Sequence, residues 1–309
     1  MGNTVKATVQ GQEYTLVYNS ATGKYEAQVT APSSSSYQNN TGHYFPVTIT
    51  ATDDAGNVTT ISDTEGSFKD NLKLYVKEQI KPTITGISPS SNAYIGTSNP
   101  KIEFTVLDNS NGQTSGFSGI NPDSIALTVG GTSVSASAIT KEAVTGGYKC
   151  SYTPSSAIAD GNCTVTISAK DYDGNASDTA SVTFKIDTTP PVLNVTSPST
   201  DGTYTNQPKF TVAGKTSDAN SSPVTVAITV NGTSQGAVSV SSDGSFSKEV
   251  TLAEGLNTIV VTSTDKAGKV STVTRTINLK TTGPVFKTVT ISPNPVNCGN
   301  SYTISVTFE

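Results

Sequence analysis

Tryptophan is absent from this 309-residue chain, histidine and methionine occur once each, and only three cysteines are present. A single histidine rules out a zinc set rich in imidazole, and the cysteines are too few and too scattered for a thiolate site or a disulfide framework. No nucleophile elbow, P-loop or dinucleotide glycine fingerprint occurs, so no catalytic residue and no cofactor is expected. Charge is sparse, 14% of residues with a formal net of −5, and no basic run is present. Nucleic acid and anionic membranes are therefore excluded as partners. No stretch approaches the ~20 apolar residues of a membrane span, and no charged and apolar leader opens the chain at Met1.

What remains is a polar, strand-forming composition. Apolar and hydroxyl residues alternate at Val47, Ile49 and Ala51, at Val165, Ile167 and Ala169, and at Ile259, Val261 and Ser263. That period of two predicts half-buried β-strands, and the chain reads as all-β. Each of these strands runs into an Asp-x-x-Gly turn: Asp53 with Gly56, Asp171 with Gly174, Asp265 with Gly268. Aspartate bonds to the backbone ahead of it and glycine accepts positive φ, which together close a hairpin. Asp53 with Asp54 and Asp171 with Asp173 also raise calcium as a reading. That ion needs six or more converging oxygens, and the turn role suffices in all three places, so no metal is expected. Cys150 and Cys163 share the inward register of their strands and are expected as buried free thiols; Cys298 falls in a turn.

The chain also repeats. Pro82 to Pro89, Pro191 to Pro198 and Pro284 to Pro293 are three similar strand openings, which mark units 82–190, 191–283 and 284–309. The first two are complete, of roughly 100 residues each as in a two-sheet sandwich. The third has room for two strands only. Residues 1–81 begin late: Val5, Ala7 and Val9 align with Ile125, Leu127 and Val129 and with Val226, Ile228 and Val230, which are third strands. At the far end, Tyr302, Ile304 and Val306 align with the second strand Ile102, Phe104 and Val106. Units 1–81 and 284–309 thus read as two parts of one sandwich, divided at the polar loop that is 108–119 in the intact unit.

The phrase from Ser118 through Asn121 and Pro122 to Ile125, the Asp-x-x-Gly-Asn hairpin and the linker Ile186, Asp187, Pro190, Pro191 resemble bacterial immunoglobulin-like repeats. Such repeats occur in cell-surface adhesins, in accessory modules of secreted glycosidases and in phage tail or baseplate proteins. The resemblance implies tandem immunoglobulin-like β-sandwiches serving as spacer, adhesion or assembly modules, without catalytic residues. His43, beside Tyr44 and Phe45, reads as a loop residue.

Function is therefore sought in assembly. The donor hairpin is expected to present Phe286, Ile291, Tyr302, Ile304, Val306 and Phe308, and the acceptor to offer Tyr25, Ala27, Val29, Val47 and Ile49. Strand addition of this kind is a known recognition mode. Closure between copies gives a homo-oligomer, ring or filament; closure within one chain satisfies the same strands. Two loops longer than in the sibling units, 32–42 and 63–71, place Tyr37, His43 and Phe68 for contact with a host-surface glycan or a neighbouring virion protein. The missing leader suggests assembly in the bacterial cytoplasm into a virion. The alternative is a segment of a bacterial cell-surface adhesin or a carbohydrate-binding spacer.

Overall fold

Alternating apolar and hydroxyl residues become short antiparallel strands throughout, in a computed structural model that describes residues 3–109 and 116–309. Residues 110–115, within the polar loop 108–119, lie outside the described residues. The chain divides into two compact units, Met1–Lys185 and Ile186–Glu309.

The first unit opens with one sheet. Strands β1 (Thr4–Val9), β2 (Gln12–Asn19), β3 (Lys24–Glu26), β4 (Phe45–Thr52) and β5 (Val58–Ile61) lie in the order β3-β2-β1-β4-β5, and β6 (Lys73–Leu74) pairs with β4. Ala7 pairs with Ile49 and Val9 with Val47. A 3-10 helix, Gly66–Leu72, occupies part of the long loop after β5. Among the described residues here, Val9, Phe45 and Leu72 are the buried apolar ones, and the rest of the sheet is at best half-buried.

A complete sandwich follows in the same unit. It contains β7 (Thr83–Ser88), β8 (Tyr94–Ile95), β9 (Ile102–Leu107), β10 (Ala126–Val129), β11 (Thr132–Ser133), β12 (Thr140–Val144), β13 (Gly147–Tyr152), β14 (Gly161–Ser168) and β15 (Ala180–Ile186). One sheet runs β12-β13-β9-β7 and the other β11-β10-β14-β15-β8. Phe104, Val106, Leu127, Val165, Ile167 and Phe184 fill the space between them, because the period-two pattern turns one face of every strand inward. Cys150 and Cys163 are buried free thiols and Cys298 is exposed.

The second unit repeats this design. Strands β16 (Val192–Ser197), β17 (Thr203–Thr205), β18 (Lys209–Ser217), β19 (Thr225–Val230), β20 (Thr233–Ser234), β21 (Ser245–Thr251), β22 (Gly255–Thr264) and β23 (Val270–Leu279) form sheets β16-β18-β21 and β17-β23-β22-β19-β20. Val212, Ile228, Phe246, Ile259, Val261 and Ile277 make its core. Gly214 is required where β16 and β18 pair: an added Cβ would meet the Asn194 carbonyl oxygen and the Phe246 ring, both well inside van der Waals contact. The unit ends in a two-stranded hairpin, β24 (Phe286–Ser292) with β25 (Thr303–Phe308). The architecture is that of tandem immunoglobulin-like β-sandwiches.

Candidate functional site

The hairpin is amphipathic and covered on neither face. Val289 opposes Val306 and Ile291 opposes Ile304 on one side, while Thr290 with Ser305 and Ser292 with Thr303 make a hydroxyl-bearing other side. Phe286 and Phe308 close the apolar end with ring centroids 5.0 Å apart. Ile304 is 59% exposed and Val306 39%, whereas Phe104 and Val106, their counterparts in β9, are 1% and 0% exposed. Tyr302 precedes β25 and is exposed as well. Among the described residues β25 pairs with β24 alone, so its outer edge carries main-chain groups without a strand partner there.

The N-terminal sheet shows the complementary exposure. Val47 and Ile49 are half-buried, yet Val165, Ile167, Ile259 and Val261 at the matching positions are buried. β3 is the outermost strand of its sheet and pairs only with β2 among the described residues. Of the three edge residues expected from sequence, only Tyr25 lies in a strand, where its ring packs 5.3 Å from Tyr18. The strand ends at Glu26, and Ala27 and Val29 follow it as exposed residues.

The loop aromatics are partly engaged. Tyr37 stacks on His43 at 3.9 Å and on Tyr172 at 4.2 Å, a three-ring column. Its loop is fastened to the sandwich by the Ser35 amide donating to the Gly116 carbonyl and the Gln38 side chain donating to the Ser118 carbonyl. Phe68 lies on the 3-10 helix and is exposed. Sequence reasoning missed Tyr172, because it stands in a hairpin whose spacing signals only a turn.

The Asp-x-x-Gly turns form as the pattern predicts. Asp53, Asp171 and Asp265 each accept the main-chain N–H of the residue four positions on, at 2.8 Å. Side-chain and main-chain bonds from Asn57 hold the Asp53 carboxyl below its ordinary range. The turn role does not exhaust the other two, for Asp171 stands with Glu78 and Asp108, and Asp265 with Asp187 and Asp218.

Residues 83–188 match the family model of a bacterial Ig-like domain, and residues 191–281 match that of glucodextranase, domain B. Among solved structures, the fibronectin(III)-like modules of Clostridium thermocellum CbhA are 18% identical with a TM-score of 0.40, covering 64% of this chain and 94% of theirs. Bacteroides ovatus SGBP-B, solved in complex with a mixed-linkage heptasaccharide, is 14% identical with a TM-score of 0.23, covering 97% of this chain and 66% of its own. The Ig1-2 module of the Drosophila receptor phosphatase DLAR is 16% identical with a TM-score of 0.24, covering 65% of this chain and 100% of its own. No curated protein sequence matches the chain.

Proposed function

We propose that this chain is a non-enzymatic structural protein whose immunoglobulin-like modules join head to tail, the hairpin 284–309 of one copy completing the N-terminal sheet of the next. One observation carries the reading: positions fully buried in both sandwiches are only half-buried in the N-terminal sheet, and the hairpin whose second strand corresponds to β9 is exposed along its length. In the intact first-unit sandwich, β9 pairs with β13, Phe104 opposite Cys150. By the same arrangement β25 adds to the outer edge of β3, and Ile304 and Val306 turn onto Val47 and Ile49.

The energetics favour joining. An isolated hairpin is marginal in water, and each of Ile304, Val306 and Phe308 gains about 1.5–3 kcal/mol on burial. Ordering the segment and the loss of rigid-body freedom oppose this, so affinity depends on concentration. A head-to-tail contact builds a ring if its rotation closes and a filament if it does not.

The family matches favour the surface setting, a bacterial adhesin segment or a spacer in carbohydrate processing, with the column around Tyr37 as its glycan-facing feature. They lend nothing to a virion setting. Light scattering after size exclusion tests the assembly. A mass above 31.8 kDa that rises with concentration is expected, falling to the monomer value in Ile304→Asp. A wild-type chain of 31.8 kDa at every concentration overturns the reading, as does an assembly unaffected by Ile304→Asp.

A further inference from the structure

Three carboxylates from distant parts of the sequence converge at the same place in each complete sandwich. Glu78 lies in the segment ahead of β7, Asp108 directly follows β9, and Asp171 belongs to the turn after β14. Asp187 lies ahead of β16, Asp218 directly follows β18, and Asp265 directly follows β22. In both triads the ligand oxygens, one from each residue, lie within 4.8 Å of one another.

All six carboxylates are fastened to the main chain. One oxygen of each accepts a main-chain N–H: Glu78 from Ile80, Asp108 from Gly119, Asp171 from Asn175, Asp187 from Thr189, Asp218 from Asn220 and Ser221, Asp265 from Lys269. The second oxygens include three, Asp108 Oδ1, Asp187 Oδ2 and Asp265 Oδ2, that are buried without a hydrogen-bond partner among the described residues. These three aspartates are 1%, 0% and 6% exposed. A buried carboxylate oxygen left unpaired is costly, and three carboxylates in contact repel one another. Burial, together with contact with Asp171, pushes Glu78 up to about 7. Burial and the neighbouring acids likewise push Asp108 and Asp187 up. Lys6 with Glu13 and Lys209 with Glu249, two of the described ion pairs, lie elsewhere, on the surface.

We propose that each triad binds one calcium ion, which ties the segment leading into a sandwich to the end of its second strand and to its Asp-x-x-Gly turn. The donors are hard oxygens without nitrogen or sulfur, a set that suits calcium or magnesium better than zinc or copper. Calcium bonds of 2.3–2.6 Å put opposite ligand oxygens about 5 Å apart, so oxygens within 4.8 Å of one another can share one ion, and carboxylates brought by three chain segments suit its flexible geometry better than the strict octahedron of magnesium. One difference between the two sites lies four residues beyond the turn aspartate. At the first, the Asn175 side-chain amide donates to Glu78 and Asp171 at 3.0 and 2.7 Å and must turn to admit an ion. At the second, Lys269 holds the equivalent position and donates to Asp265 through its main chain. The second triad therefore binds more tightly.

Calorimetric titration of the full chain, stripped with a chelator, with calcium chloride is the test, beside a magnesium titration. Two calcium ions per chain are expected, with melting shifted upward by calcium. Asp265→Asn removes the tighter ion and Asp171→Asn the weaker. Asparagine keeps an oxygen for the turn, and circular dichroism verifies that each variant is folded. Should a variant fail that check, Asp187→Asn or Asp108→Asn replaces it at the same site. Absence of binding at millimolar calcium overturns the proposal, and so does a stoichiometry of two that survives both substitutions.

Discussion

Ile49 and Ile167 are the same residue at the same strand position, one half-buried and the other 1% exposed. Truncating a fully buried isoleucine costs about 2–5 kcal/mol. Ile167→Ala is therefore expected to lower the stability of its sandwich by that amount, and Ile49→Ala to cost less than half as much in the unassembled chain. Denaturant unfolding followed at each transition measures both. The cysteines separate just as sharply. Burial pushes the Cys150 thiol up to about 11 and Cys163 upward as well. A raised thiol pKa means that both remain protonated at pH 8, where the reactive thiolate is scarce. Iodoacetamide at that pH is expected to label Cys298 alone in the native protein and all three after unfolding, read by peptide mass.

Among the elements, β24 and β25 differ from the strands inside the sandwiches, since among the described residues they pair with each other and with no further strand. Their amides are expected to exchange with deuterium within seconds in dilute protein, while those of β14 and β22 resist for hours. At concentrations that favour assembly, β25 and β3 gain protection together. The strands themselves were legible from sequence, because alternation and Asp-x-x-Gly turns are local signals. That Val47 and Ile49 match positions buried in the other units could be read by aligning the units, since a repeat carries its own standard for what should be buried; their half-burial is seen only in the structure. The carboxylate triads could not. Glu78, Asp108 and Asp171 are brought together by the crossing of three segments, and weighing Asp171 only against its sequence neighbour Asp173 missed both partners. The stacking of Tyr37 on Tyr172 was hidden for the same reason.

For the molecule as a whole, stability rests on apolar cores and main-chain pairing. The ion pairs Lys6 with Glu13 and Lys209 with Glu249 are solvent-exposed at both partners and are worth little. Raising sodium chloride from 0.1 to 1 M is expected to shift the melting temperatures only slightly, and scanning calorimetry checks this. A calcium-specific shift at constant ionic strength would then stand apart from general screening. The exposed edges of β3 and β25 belong to different segments of the chain, which gives an open assembly a direction. In the head-to-tail assembly we propose, the two tips are unlike, one displaying a bare sheet and the other a bare hairpin. Growth at the sheet tip can therefore be poisoned by a free peptide spanning 284–309, while the opposite tip continues to elongate.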